Sequence, residues 1–277
     1  MKDSECIGFL QWALPRLRLH WPGFRRVRRQ VCKRIDRRLH SLGLGDVDAY
    51  RAHLGAHPGE WPALAALCSV PISRFWRDAP VFESLAQEVL PALAEAASRR
   101  DGRDVRCWSA GCASGEEPYT LAMLWELRVA GRWPGIALRV LATDVDGALL
   151  ARAQQGCYLG SSLTELPATW LGRVTDERQG LHCVKQRFRA PVEFAQQDIR
   201  QTLPDADFDL ILCRNLVLTY FEPALRREVM QRMLARLRPG GALVIGLHEA
   251  LPEGLSVSAW PGTRAIYRKQ PIEADRA

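Results

Sequence analysis

No stretch of this sequence approaches the roughly 20 uninterrupted apolar residues that a membrane-spanning helix requires, so membrane insertion is not expected. There is no Cys-x-x-Cys pair and no cysteine–histidine cluster at ligand spacing. Cys6, Cys32, Cys68, Cys107, Cys112, Cys157, Cys183 and Cys213 are scattered, mostly in apolar runs, where a thiol packs as a small hydrophobe. Neither a structural zinc site nor a disulfide framework is expected from that spacing in a chain of 277 residues. Internal repeats and low-complexity tracts are also absent. The first residues, MKDSECIGFLQWALPRLRLH, hold a short apolar run. Asp3, Glu5 and the arginines that follow are unlike a secretory signal, so a first amphipathic helix and a cytoplasmic location are expected.

What is present is unevenly placed. The net charge is +7, and residues 1–79 hold 14 Lys/Arg against 7 Asp/Glu, whereas the remainder is balanced. Partner electrostatics therefore belong to the first third of the chain. There, in FRRVRRQVCKRIDRRLHSL, Phe24, Val27, Val31, Ile35 and Leu39 recur at helical spacing, while arginines and Lys33 crowd the other faces. Asp46 opens a capped helix, DVDAYRAHL, and a third helix through WPALAALCSV ends before Pro71. These features predict a helical domain over 1–79 with a basic face. Such a face is either simply solvated or steers an acidic partner. Nucleic acid is not expected, because no aromatic platform accompanies the arginines.

From residue 104 the pattern becomes strand, turn and helix in alternation. DVRCWSA, IALRVLATDVD, FDLILCRN and ALVIGL read as strands, with helices through PYTLAMLWELRVA, DGALLARAQQG and EPALRREVMQRMLARLRPGG, the last stopped by Pro-Gly-Gly. Such alternation implies an α/β domain, over 80–277, with a parallel sheet and right-handed crossovers. Residues 176–196 alternate differently and suggest a small antiparallel insertion.

The segment WSAGCASGEEPYTLAM carries the chemistry. Its glycine turn is neither GxGxxG nor a phosphate loop, and no lysine or arginine stands where a pyrophosphate would need neutralising. Glu116 and Glu117 stand there instead. Asp144 closes the second strand, where an acid accepts from ribose hydroxyls, and Asp198 follows a later one. Two glutamates at a helix start also complement the helix dipole. Together with Asp144 and Asp198 they suit a cationic ligand with a nucleoside end, such as S-adenosylmethionine (AdoMet).

At this point the sequence resembles the CheR-type chemoreceptor glutamate methyltransferases. The resemblance rests on SRFWRD (73–78), WSAGCASGEEPY, ATDVD (142–146), GCY (156–158), CRN (213–215), YF (220–221) and RPGG before a strand. It implies a Rossmann-like AdoMet-dependent methyltransferase domain behind a small helical domain, with S-adenosylhomocysteine (AdoHcy) as product and no metal. Carried over by motif, Ser73, Arg77, Ala110, Gly111, Glu117, Asp144, Asp198, Ile199, Arg214 and Asn215 are expected around the cofactor. Arg77 and Tyr220 are expected at the acceptor or methyl. Four departures fall in these motifs: Pro71 replaces a usual asparagine, Asp198 often is one, one extra residue separates Asn215 from Tyr220, and His248 is shifted by one.

The implied acceptor is a glutamate carboxylate, ionised at neutral pH with a reference pKa of about 4.3, which needs alignment more than a general base. Arg77 would orient it bidentately; the plain alternative pairs Arg77 with Asp78 or Glu83. An acidic chemoreceptor methylation helix would be the partner of the basic face. A small-molecule or other side-chain acceptor, and a module that binds AdoMet without transfer, remain as alternatives.

Overall fold

The computed structural model describes residues 2–270. In chain order it begins with helices α1 (Asp3–Arg16), α2 (Trp21–Phe24), α3 (Arg28–Ser41), α4 (Val47–Ala56) and α5 (Glu60–Leu67). Helices α6 (Ala79–Ser84) and α7 (Leu90–Ser98) lead into strand β1 (Asp104–Ala110), then α8 (Glu116–Leu124), β2 (Ala137–Asp144) and α9 (Gly147–Gln155). Next come β3 (Cys157–Tyr158), α10 (Leu171–Val174), β4 (Thr175–Arg178), β5 (Leu181–Val184), α11 (Gln186–Arg189) and β6 (Val192–Gln196). The remainder is β7 (Phe208–Leu212), α12 (Val217–Tyr220), α13 (Pro223–Arg236), β8 (Leu237–Val244), β9 (Val257–Ala259) and β10 (Ile266–Lys269). By internal contacts the chain divides into one unit of Met1–Pro71 with Leu216–Arg227 and a second of Ile72–Asn215 with Glu228–Ala277.

In the first unit, the stripe on α3 buries Val31, Ile35 and Leu39, and the Asp46 side chain caps α4 by accepting from Ala49 N at 2.8 Å. The polar centre of this unit is Glu60, 7% exposed. Its carboxylate accepts from Arg38 Nε and Nη2 at 2.8 and 2.7 Å and from the Tyr50 hydroxyl at 2.8 Å. Residues 216–227 join the unit through His20 N to Tyr220 O (2.8 Å), Glu222 N to Arg18 O (3.0 Å) and the Arg18–Glu222 ion pair (2.7 Å). Gly23 is required there: a Cβ would lie 2.1 Å from the Thr219 carbonyl oxygen. On α3, Arg29, Lys33 and Arg37 are exposed at four-residue intervals and form one cationic line.

The second unit is the expected Rossmann-like α/β sheet. Its seven strands run β6-β2-β1-β7-β8-β10-β9, parallel from β6 to β8 and antiparallel through β10 and β9. The central strand β7 is buried along its whole length, as a strand covered on both faces must be. Helix α9 is capped by Asp146, which accepts from Ala148 and Leu149 N–H groups, and ends at Gly156 in the left-handed region.

Three expectations are corrected. Two disulfides are present, Cys6–Cys32 between α1 and α3 and Cys157–Cys183 across β3 and β5. They form because helix packing and strand pairing bring together cysteines 26 residues apart, which spacing alone does not reveal. The antiparallel sheet consists of β3, β5 and β4, whereas residues 192–196 form β6 and pair parallel with β2 in the main sheet. Pro239, Gly240 and Gly241 follow the end of α13 but lie inside β8, where the register with β7 shifts. Gly241 fits there because a Cβ would meet the Asp209 and Arg238 carbonyl oxygens at 2.9 Å.

The first unit carries a pH prediction. The Arg38 hydrogen bonds, against the opposing effect of burial, hold Glu60 below the usual carboxylate range, with Tyr50 adding to them. A depressed carboxylate stabilises the fold above its unfolded pKa of about 4.3 and loses that contribution as pH falls through the folded value. Arg38→Ala, which leaves the buried Glu60 carboxylate with the Tyr50 hydroxyl alone, should destabilise the protein at neutral pH. In urea unfolding, the gap from wild type should shrink once the pH is below about 4.

Candidate active site

The site is built at the C-terminal ends of β1, β2 and β7, where ligands lie in open α/β sheets. Beyond β1 the chain turns through Gly111 (φ 78°), Ala113 (φ 49°) and Gly115 (φ 91°) before α8 begins. The Gly111 and Cys112 N–H groups both donate to the Thr143 carbonyl, at 2.8 and 3.0 Å, which fastens the turn to the end of β2. Gly115 admits no side chain: a Cβ would lie 2.9 Å from Ala153 Cβ, 3.1 Å from the Tyr158 hydroxyl and 3.2 Å from Phe194 Cζ.

Glu117, in the first turn of α8, accepts from the Ser109 hydroxyl at 2.8 Å and from Arg214 Nη1 at 3.1 Å. Arg214 also donates through Nη2 to the Arg77 carbonyl (2.8 Å) and to Asp78 (2.6 Å), and its guanidinium lies 5.2 Å from the Phe82 ring centroid. One buried guanidinium thus joins α8, the 77–78 segment and the end of β7. Its Nε is buried with no hydrogen-bond partner among the described residues. Asp144 accepts from Ala113 N at 2.9 Å and Asp146 N at 3.0 Å. Burial pushes the Asp144 carboxyl above its usual range despite these hydrogen bonds.

A cleft brings together Ser73, Arg77, Gly111, Glu117, Arg214 and Asn215 of the expected residues, and adds Ile72, Arg74, Cys112 and Ala113. Asp144 reaches its wall through Ala113, and Ala110 is the buried residue before Gly111. Arg77 pairs with neither Asp78 nor Glu83; its Nη1 donates to the Ile72 carbonyl at 2.7 Å, while Asp78 is bonded to Arg214 and Glu83 to Arg128. Asp198 does not line the cleft. Burial opposes its ionisation, but the Arg200 side chain, in a fork of hydrogen bonds at 2.7–3.1 Å, prevails and keeps the carboxyl below its usual range. Ile199 beside it is buried. Tyr220 belongs to the first unit, where its ring packs 5.0 Å from Phe24.

Sequence reasoning missed the residues that hold the site from behind. Asp78 follows the SRFWR motif directly, and its charge next to a cation was the available signal. Glu249 accepts from Asn215 N (2.9 Å) and Gly246 N (2.7 Å), a role with no sequence signature beyond its place after the last parallel strand. Among the described residues, four of the seven non-glycine residues with positive φ, Trp76, Asp78, Ala113 and Asn215, flank or line this one cleft. Such clustering marks functional sites. A separate cavity of about 980 Å³ lies at the opposite ends of the strands, against Asp104, Arg106, Leu138 and Pro191.

The residues fit a cationic nucleoside ligand. The turn is a cradle that a Cβ would fill. Asp144, Glu117 and Glu116 all add to the effect of burial in raising the Cys112 thiol that lines the cleft. Arg214 is already bonded to two carboxylates, while its free Nε is a buried donor suited to a ligand carboxylate. Fold and site define a class, the Rossmann-like AdoMet-dependent methyltransferases.

Comparison with known proteins narrows the class. The family model described as "CheR methyltransferase, SAM binding domain" matches residues 72–263. Over 233 residues the chain is 35% identical to the chemotaxis protein methyltransferase of Escherichia coli K12, covering 80% of this chain and 76% of that one. It is 36% identical over 224 residues to a 104.1 kDa protein of Rhodobacter capsulatus described as uncharacterized, covering 80% of this chain but only 23% of that longer protein. Among solved structures, SAM-bound CalS10, an amino pentose methyltransferase from Micromonospora echinaspora, aligns with a TM-score of 0.30 and 20% identity over 64% of this chain and 58% of that one. The chain belongs to the CheR methyltransferase family, and its cofactor is AdoMet.

Two predictions follow from the geometry. Gly115→Ala should lower AdoHcy affinity at least tenfold in calorimetric titration, because both the positive φ and the 2.9 Å approach to Ala153 oppose a side chain. Binding that uses the Asp144 carboxylate is lost when that group is protonated, and its raised pKa moves the loss above the free-aspartate value of about 3.9. AdoHcy affinity should therefore fall with pH from a higher onset than a free aspartate would give, and Asp144→Asn should flatten that profile.

Proposed function

We propose that this chain transfers the AdoMet methyl group to glutamate carboxylates of a chemoreceptor or a related signalling protein. The observation that carries the reading is one cleft uniting an acid-lined cofactor turn with an arginine, Arg77, that donates to the Ile72 backbone carbonyl rather than to an acid. AdoMet, when bound, supplies an electrophilic methyl on a sulfonium. Glu117 and Asp144 would hold its ammonium and ribose, with Ser73, Gly111, Arg214 and Asn215 completing the walls. Arg77 would orient the acceptor carboxylate bidentately. The acceptor is already ionised, so alignment and exclusion of water replace a general base.

The cationic line of Arg29, Lys33 and Arg37 is assigned to the acceptor protein. An acidic helix would be drawn to it by long-range attraction that raises the encounter rate and is screened by salt. The reading keeps the cytoplasm as the working compartment; among the described residues no helix is long and apolar enough to cross a membrane. The two disulfides argue the other way, being rare in cytosolic proteins.

Labelled AdoMet should methylate receptor-bearing membranes, with label released as methanol in base, as glutamyl esters require. Label appearing only in a low-mass fraction, or in base-stable product, would overturn the assignment. Reversing Arg29, Lys33 and Arg37 to glutamate should raise KM for the acceptor about tenfold or more while leaving AdoHcy affinity unchanged.

A further inference from the structure

Tyr158 is fully buried and lies outside the cleft, yet it touches both of the cleft's walls. Its hydroxyl donates to the Ser114 carbonyl at 2.7 Å. That carbonyl belongs to the peptide entering Gly115, whose left-handed conformation ends the cofactor turn and starts the helix bearing Glu117. The same Ser114 donates its own hydroxyl to Glu116 at 2.9 Å. On its other side, the Tyr158 ring packs edge-on against Phe75 at 4.9 Å, within the segment that supplies Ser73, Arg74 and Arg77 to the cleft. Phe75 is in turn tied to the insertion by its N–H, which donates to the Ser162 carbonyl at 3.0 Å.

What holds Tyr158 is slight in backbone terms. It sits on β3, a strand of two residues, paired with β5 through Cys157 opposite Cys183 and Tyr158 opposite His182. Across the first of these pairs runs the Cys157–Cys183 disulfide. A two-residue strand has few ladder bonds to fix its register, so the covalent link to the neighbouring strand adds a constraint directly beside Tyr158.

We propose that Tyr158 is a positioning residue for the cofactor turn and that the Cys157–Cys183 disulfide holds it in place, so that cofactor affinity depends on the redox state of that bond. The inference rests on the methyltransferase reading of the cleft. Opening the bond takes two electrons from a dithiol reductant: the S–S bond breaks, each sulfur takes up a proton, and the dithiol closes to its cyclic disulfide. Reduction frees β3 from β5 and loosens the tyrosine, without touching a residue that lines the cleft.

The test is calorimetric titration of AdoHcy into oxidised wild type, wild type reduced with dithiothreitol, Tyr158→Phe, and the double variant Cys157→Ser/Cys183→Ser. Tyr158→Phe keeps the ring against Phe75 and removes only the hydroxyl. It should weaken AdoHcy about tenfold and raise KM for AdoMet in step, with kcat at saturating AdoMet unchanged. A residue serving stability alone would lower the melting temperature without that split. Reduced wild type and the double variant should both bind more weakly than oxidised wild type, and the double variant should no longer respond to the reductant. Tyr158→Phe binding as wild type does would overturn the proposal. So would a double variant still sensitive to dithiothreitol, since its remaining disulfide, Cys6–Cys32, would then be the responsive one. Failure of oxidised wild type to bind AdoHcy would instead strike the methyltransferase reading itself.

Discussion

The ion pair between Arg214 and Glu117 is the constraint on which the second unit's site depends. The Arg214 side chain is almost wholly buried, and a buried guanidinium is tolerable only if carboxylates and carbonyls surround it. Glu117 on α8 and, from the 77–78 segment, Asp78 and the Arg77 carbonyl supply that surround. Solvating one cation therefore aligns α8, the segment before α6 and the end of β7. Removing either carboxylate would leave the guanidinium with a single charge partner at the point where the walls meet.

That arrangement also decides which ligand the turn takes. A phosphate site needs exposed N–H groups and a spare cation. Here the Gly111 and Cys112 N–H groups are consumed by the Thr143 carbonyl and Ala113 N–H by Asp144, while Arg214 is held by two carboxylates. What the turn still offers is negative charge, from Glu117 and Asp144, with Glu116 buried behind them on Ser114. A sulfonium nucleoside is matched by this electrostatics, and a dinucleotide pyrophosphate is not.

Much of this was legible in the sequence because it is local. Strand β1, the glycine turn, α8, β2 and α9 follow from apolar runs and turn residues, all read over short windows. Contacts between distant segments were not legible. Nothing near Asp198 announced that Arg200 would claim its carboxylate, since a charge two residues away reads as surface. Nothing near Cys157 or Cys183 announced a shared strand pair. The short strands β9 and β10 carry little periodicity, and Pro239–Gly241 looks like a terminator yet fits within β8 because Gly240 takes a left-handed φ and Gly241 admits close backbone approach. Asn215 takes a left-handed φ of 54° before the short α12, a conformation that asparagine adopts more readily than most residues.

The central claim is that Glu117, fixed by Arg214 and Ser109, is a cofactor ligand and not merely a helix-end charge. The most direct measurement is AdoHcy affinity for Glu117→Gln, set beside its melting temperature. The amide keeps the shape of the side chain and its capacity to accept from Ser109, but removes the charge that would hold the cofactor ammonium. The account predicts a loss of affinity of about tenfold or more with most of the fold's stability retained. Undiminished AdoHcy binding by Glu117→Gln would contradict it.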